Sequence, residues 1–290
     1  MIISELAKQK PFIITSELTP PKGPDYGNTL KAADSMEPFV DAINVTDGQS
    51  AVMRMGSLGV CRLLADRGNE PVFQLTCRDR NRIALQSELL NAFGLGIRNV
   101  LCLTGDHVAL GDHPDAKQVF DLDSVSLLWA VQRLNEGFDM RKNALNGATE
   151  LCAGAVVNPN AWPIEPQLLK MERKIRTGAR FFQTQAVFDV SKLRPFVDLA
   201  RRMKVPLLAG VLLLKTPSMA RYVNARVPGV EIPENLITEL ERSADPTKTG
   251  IEIAARIIVE SKEICQGVHL ITGGREELVK EILEKADMLP

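Results

Sequence analysis

Six places in this chain put polar groups where a run of apolar residues stops. Glu17 stands near the end of residues 12–18, just before Thr19-Pro20-Pro21. Thr46 ends residues 41–46, before Asp47-Gly48, and Gln74 and Thr76 lie in residues 71–77. Thr104, Gly105 and Asp106 follow the apolar stretch that begins at Val100. Asn158-Pro159 follows residues 150–157, and Gln185 ends residues 180–185. Only Glu17 and Asp106 in this set are ionisable, and they come from different segments. Two carboxylates under an otherwise neutral, hydrogen-bonding rim suit a neutral heteroaromatic ligand better than a sugar phosphate. Lys174, Arg176 and Arg180 are near in sequence, but no dense basic cluster for phosphates is visible.

These groups can act together only if the runs that carry them end at one place. Short apolar, β-branched runs bounded by turn residues read as strands buried on both faces. Residues 206–214 and 268–272 add a seventh and an eighth to the six above. Between them lie stretches such as 82–93 and 168–175, with apolar residues three and four apart. Breakers such as Gly94 and Gly178 follow. Eight strands alternating with helices predict a single-domain (β/α)8 TIM barrel over residues 1–290. An open doubly wound sheet is the alternative, and the absence of a linker favours closure. The connection between strands seven and eight is extended and holds helices near 218–225, 233–243 and 248–263. Strand carboxyl ends converge on one mouth in this fold, which is where its catalytic groups lie.

Composition narrows the class. A formal charge of −1 over 290 residues offers no basic surface for nucleic acid or anionic lipid. The first eight residues carry charges where a signal peptide needs an apolar core. The longest apolar run, 207–214, is too short for a membrane span. Five cysteines with no Cys-x-x-Cys spacing argue against disulfides and against a metal site. A cytoplasmic location is expected, with the cysteines serving as small core residues and Cys77 at the mouth.

The same residues carry a resemblance. Ser16-Glu17-Leu18-Thr19-Pro20-Pro21 resembles the Glu-x-x-Pro-Pro opening of methylenetetrahydrofolate reductases of the bacterial type. Asn44-Val45-Thr46-Asp47-Gly48, Gln74-Leu75-Thr76-Cys77 and Leu103-Thr104-Gly105-Asp106 resemble its next three strands. Asn158-Pro159, Glu172-Arg173-Lys174, Gly178-Ala179 and Thr184-Gln185 then follow in family order. The resemblance implies a flavin-binding catalytic barrel reducing 5,10-methylenetetrahydrofolate to 5-methyltetrahydrofolate, with FAD expected and FMN the alternative. It implies that Glu17 is the general acid that opens the folate ring and that Asp106 lies near flavin and pterin. Gln185 would bind the pterin edge, and Thr46, Gln74, Thr104, Gly105, Asn158 and Lys174 would bind the flavin.

Departures from the family pattern matter too. Thr104 replaces the family's arginine, Gln74 its histidine, and Gln167 and Lys170 an acid and an amide, all toward the phosphate and adenosine side. Residues 215–219 lack the aromatic that bacterial relatives stack on nicotinamide. Electrons are therefore expected from a partner redox protein, with NAD(P)H as the alternative, and a homo- or hetero-oligomer is open. Two other functions fit such a barrel: a pterin-binding methyltransferase without flavin, and a non-catalytic subunit that docks an electron carrier.

Overall fold

The computed structural model describes residues 2–227 and 229–289. Eight parallel strands close on themselves in sequence order: β1 (Ile13–Leu18), β2 (Ala42–Val45), β3 (Pro71–Thr76), β4 (Asn99–Leu103), β5 (Cys152–Val157), β6 (Phe181–Ala186), β7 (Leu207–Leu212) and β8 (Gly267–Ile271). Closure is made where Ile14 pairs with Val268 and Ser16 with Leu270. All eight expected strands are present, and the closed order excludes the open sheet.

Alternation along each strand sorts side chains into two cores. Outward residues such as Phe73, Leu75, Val100 and Cys102 pack under the surrounding helices. Inward residues at the amino ends, among them Ile13, Ala42, Val72, Leu101, Phe181 and Leu208, fill the barrel floor. Gly154 on β5 makes room for the ring of Phe181, since a Cβ there would lie 2.1 Å from it.

A short helix unforeseen from the sequence, α1 (Ile3–Gln9), seals this floor. Its Ile3 is fully buried in the floor cluster, and the Ile3 backbone N–H donates to Asn99 Oδ1 at 2.9 Å. The outer ring continues with α2 (Gly27–Met36), α3 (Ser57–Ala65), α4 (Arg82–Gly94), α5 (Ser124–Asn135), α6 (Glu165–Arg176) and α7 (Arg194–Met203). The long connection holds α8 (Pro217–Arg226), α9 (Glu234–Arg242) and α10 (Pro246–Lys262), as the sequence predicts, and α11 (Val279–Lys285) follows β8. Of the three, α10 packs on β7 and β8, burying Ile251, Ala254, Ile257 and Ile258.

Candidate active site

Inward positions at the carboxyl ends of the strands form the mouth. Leu103 of β4 and Val156 of β5 are partly exposed there and rest on the inner core, which gives an apolar floor. Glu17 of β1 stands on the same level, its side chain 13% exposed. One carboxylate oxygen, Oε1, accepts from Gln49 Nε2 at 3.0 Å, and Oε2 lies 3.9 Å from His269 Nε2. Its neighbours are thus an amide and an imidazole, rather than the lysine that a purely structural strand carboxylate would take.

Below Glu17 lies a layer of buried polar side chains. Asn44 of β2 and Gln183 of β6 exchange two amide hydrogen bonds across the barrel, at 2.9 and 3.1 Å. Gln183 Nε2 also faces Thr15 Oγ1 at 3.3 Å and His269 Nδ1 at 3.4 Å. Thr15 Oγ1 is 2.9 Å from the same imidazole nitrogen. None of these four was identified as a functional residue in the sequence. The available signal was alternation: Gln183 lies two positions before Gln185, and His269 is a lone polar residue in an apolar strand.

The loop after β2 joins the two expected carboxylates. Gln49 binds Glu17, while the adjacent Ser50 N–H donates to Asp106 Oδ2 at 3.0 Å. Ser50 and Ala51 both have left-handed backbone (φ 55° and 57°), a conformation that costs energy in residues with a side chain. Asp106 itself is exposed at the rim. Gly105 before it has φ +95°, and a Cβ there would meet Arg78 Cβ at 3.1 Å and Thr76 Cβ at 3.2 Å, so glycine lets this turn lie close over β3. The Thr104 hydroxyl accepts from Ser124 N–H at 3.2 Å and anchors the start of α5.

The β2–β3 side carries two cations that the sequence reading did not single out. Arg78 and Arg80 both lie there, each paired with an acid. Arg78 forks onto Asp79 at 2.8 and 2.7 Å. Arg80 and the Thr76 backbone and hydroxyl converge on buried Asp47. Hydrogen bonding to Asp79 holds the Arg78 guanidinium further above its ordinary pKa. The Thr46 hydroxyl beside this cluster is buried with no hydrogen-bond partner among the described residues. Such an orphan costs about 1–3 kcal/mol unless a ligand meets it. Gln74 is also inward and 6% exposed. A buried hydroxyl in need of a partner, an inward amide and an apolar floor fit a flat amphipathic group such as an isoalloxazine.

Asn158 folds into its own loop, accepting from Asn160 N–H at 3.0 Å. Asn160 in turn donates to Ala186 O and Gly229 O, tying β5, β6 and the long connection together. Gln185 faces inward and is half-buried, free to present its amide to the mouth. Lys174 is not on a solvated helix face: it is 6% exposed, and its Nζ donates to Val156 O at 2.7 Å. Burial, helped by Lys170, pulls its pKa down to about 8.

Other expectations change. Cys77 points outward from β3 into the helix-facing core and is fully buried, so it does not line the mouth; burial pushes its thiol up to about 12. In the Thr272-Gly273-Gly274 turn after β8, side chains of the chain itself take up the backbone groups. The Glu276 carboxylate accepts from its own N–H and that of Gly274, and Lys215 Nζ donates to Gly273 O at 2.6 Å. Among the described residues no three His, Cys, Asp or Glu side chains gather to hold a metal, and no helix is long and apolar enough to cross a membrane.

With this geometry in hand, comparison with known proteins is decisive on family. The family model for methylenetetrahydrofolate reductase matches residues 2–287. The chain belongs to that family, and thereby to a family of oxidoreductases. The methylenetetrahydrofolate reductase 1 of Schizosaccharomyces pombe is 26% identical over 87% of the chain, which spans only 41% of that protein. The 5,10-methylenetetrahydrofolate reductases of Pectobacterium carotovorum and Escherichia coli are 26% and 25% identical over 96% of the chain and 91% of their own lengths. Among solved structures, an uncharacterised Clostridium thermocellum protein that binds two copies of 5-methyltetrahydrofolate superposes with a TM-score of 0.69. It covers 99% of both chains at 15% identity, a likeness of fold.

Proposed function

We propose that this chain is a flavin-dependent reductase of 5,10-methylenetetrahydrofolate, acting in one-carbon metabolism in the cytoplasm, with residues 1–290 as its catalytic domain. The observation that carries the reading is the bridge made by Gln49 and Ser50, which holds Glu17 and Asp106 at one mouth over an apolar floor. The folate ligand of the Clostridium thermocellum neighbour supports the substrate class.

In this reading Glu17 gives its proton to N10 of the bridged folate ring. The methylene–N10 bond breaks, N5 and the methylene carbon become an iminium, and that carbon accepts a hydride. When bound, a flavin, FAD in preference to FMN, would supply the hydride. Thr46, Gln74, Gly105, Asn158 and Lys174 would hold it, with Thr104 acting through α5. Gln185 would bind the pterin edge. Asp106, still able to accept on its second oxygen, would meet donor groups of the pterin. With no aromatic in residues 215–219, a partner redox protein is the proposed electron source.

The test uses the purified chain. Bands of oxidised flavin, bleached anaerobically by methyltetrahydrofolate, are expected. A chain without flavin that still transfers methyl groups would overturn the reading in favour of the methyltransferase. A flavin that methyltetrahydrofolate cannot bleach would leave a non-catalytic subunit. The E17Q variant should keep its flavin yet lose folate reduction by about a hundredfold to ten-thousandfold, the usual worth of a general acid.

A further inference from the structure

Glu17 cannot be considered apart from the imidazole beneath it. His269 is buried on β8, and the groups that face its two ring nitrogens differ in kind. Nε2 faces a carboxylate oxygen, which when ionised can only accept. Nδ1 faces the Gln183 amide nitrogen at 3.4 Å and the Thr15 hydroxyl at 2.9 Å; that hydroxyl accepts from Gln183 Nε2 at 3.3 Å, and its own proton points to Nδ1, the shorter contact, or to Val268 O at 3.4 Å. The Gln183 amide pairs with Asn44 through Oε1 and one N–H, and its second N–H points toward Thr15 and His269. A donor on one side of the ring and an acceptor on the other select one neutral tautomer, since the hydrogen bond made by one ring nitrogen sets the state of the other.

We propose that the Asn44–Gln183–Thr15 layer holds His269 neutral, with its proton on Nε2, and that His269 is thereby a positioning residue for Glu17. This rests on the reading of Glu17 as the folate acid. When Glu17 gives up its proton, its new charge faces the Nε2–H. At 3.9 Å the pair is open, and a small rotation of the Glu17 side chain closes it; catalytic contacts commonly tighten this way once ligand is bound. A hydrogen bond to an ionised group is among the stronger ones, so the contact favours the carboxylate product of proton transfer over the acid. Gln49 supplies the second donor from the rim. His269 neither gives nor takes the proton; it holds the carboxylate in place through its Nε2–H.

The chain contains three histidines, and the other two, His107 and His113, are exposed. In the full chain labelled with ¹⁵N-histidine, ring signals of His269 are therefore few and assignable by their loss in H269Q. The expected result at neutral pH is a protonated Nε2 and an unprotonated Nδ1, with the Q183L variant moving His269 to a mixed tautomer. An Nδ1–H tautomer or an imidazolium would overturn the proposal. Activity gives a second readout. H269Q keeps an N–H near the Nε2 position and should stay within about threefold of wild type. H269N cannot reach, and should lose about tenfold to a hundredfold in kcat. Equal losses in the two variants would mean that His269 only packs. The two layers of inference fail separately: an E17Q enzyme that still reduces folate removes the acid assignment, whatever the tautomer proves to be.

Discussion

Replacing Lys174 by methionine should make the protein more stable at neutral pH, which is the reverse of most substitutions in a candidate site. The lysine is charged at pH 7 yet buried behind β5, with a pKa of about 8 instead of 10.5. That fall corresponds to about 3.4 kcal/mol of disfavoured charge in the folded chain. Methionine removes this penalty and fills the same space, but it also loses the bond from Nζ to Val156 O. A bond from a charged donor is worth about 1.5–3 kcal/mol. The net gain is about 0.5–2 kcal/mol, a rise of about 1–4 °C in Tm for a chain of this size. A lysine with a depressed folded-state pKa binds fewer protons in the folded chain than in the unfolded one. Wild-type stability therefore climbs as pH rises from about 8 toward 10.5. Thermal and urea melts of both proteins at matched pH should show the advantage of K174M shrinking by about 2.5 kcal/mol between pH 7 and pH 10. A difference that does not change with pH would refute the burial argument, whichever protein is the more stable.

Two further outcomes test the mouth. D106N keeps an oxygen for the Ser50 N–H and so should leave the loop in place, while removing a negative charge should raise the midpoint potential of the bound flavin. A potential that stays or falls in dye equilibration would mean Asp106 lies away from the ring. The loop after β7 offers no aromatic in residues 215–219, and Tyr222 on α8 is 63% exposed. Stopped-flow of the flavin-loaded chain should show slow or no bleaching by NADH or NADPH and fast bleaching by a viologen dye. Rapid reduction by either nicotinamide would show that the stack is dispensable.

What could be read from the sequence follows from the physics of each part. The strands were legible because a doubly buried parallel strand is an unbroken apolar run, and the three helices between β7 and β8 because of their caps and spacing. The polar ends Glu17, Thr46, Asp106 and Gln185 could be listed, but not the way they meet. The Gln49–Ser50 bridge depends on a left-handed turn at non-glycine residues, which leaves no mark in composition. The layer under Glu17 joins residues 139 and 254 positions apart, and exists only once β8 lies beside β1. Arg78 and Arg80 were hidden differently: their charges read as surface until Asp79 and Asp47 are seen beside them. Cys77 misled by one position, since a single step along a strand turns a side chain from the axis to the helices.

The helix that seals the floor carries a consequence for how the chain folds. Ile3 precedes every strand in the sequence given, yet the cluster it joins is assembled from residues on β1 through β7. Its seat does not exist until those strands are in place, so α1 is expected to dock after the rate-limiting step. I3A should then accelerate unfolding and leave the refolding rate almost unchanged, the signature of an interaction absent from the transition state. Slower refolding with unaltered unfolding would instead make the first helix part of the nucleus. In the order proposed here, the part of the protein farthest from the chemistry is a latch: it forms last, and its release sets the lifetime of the closed barrel.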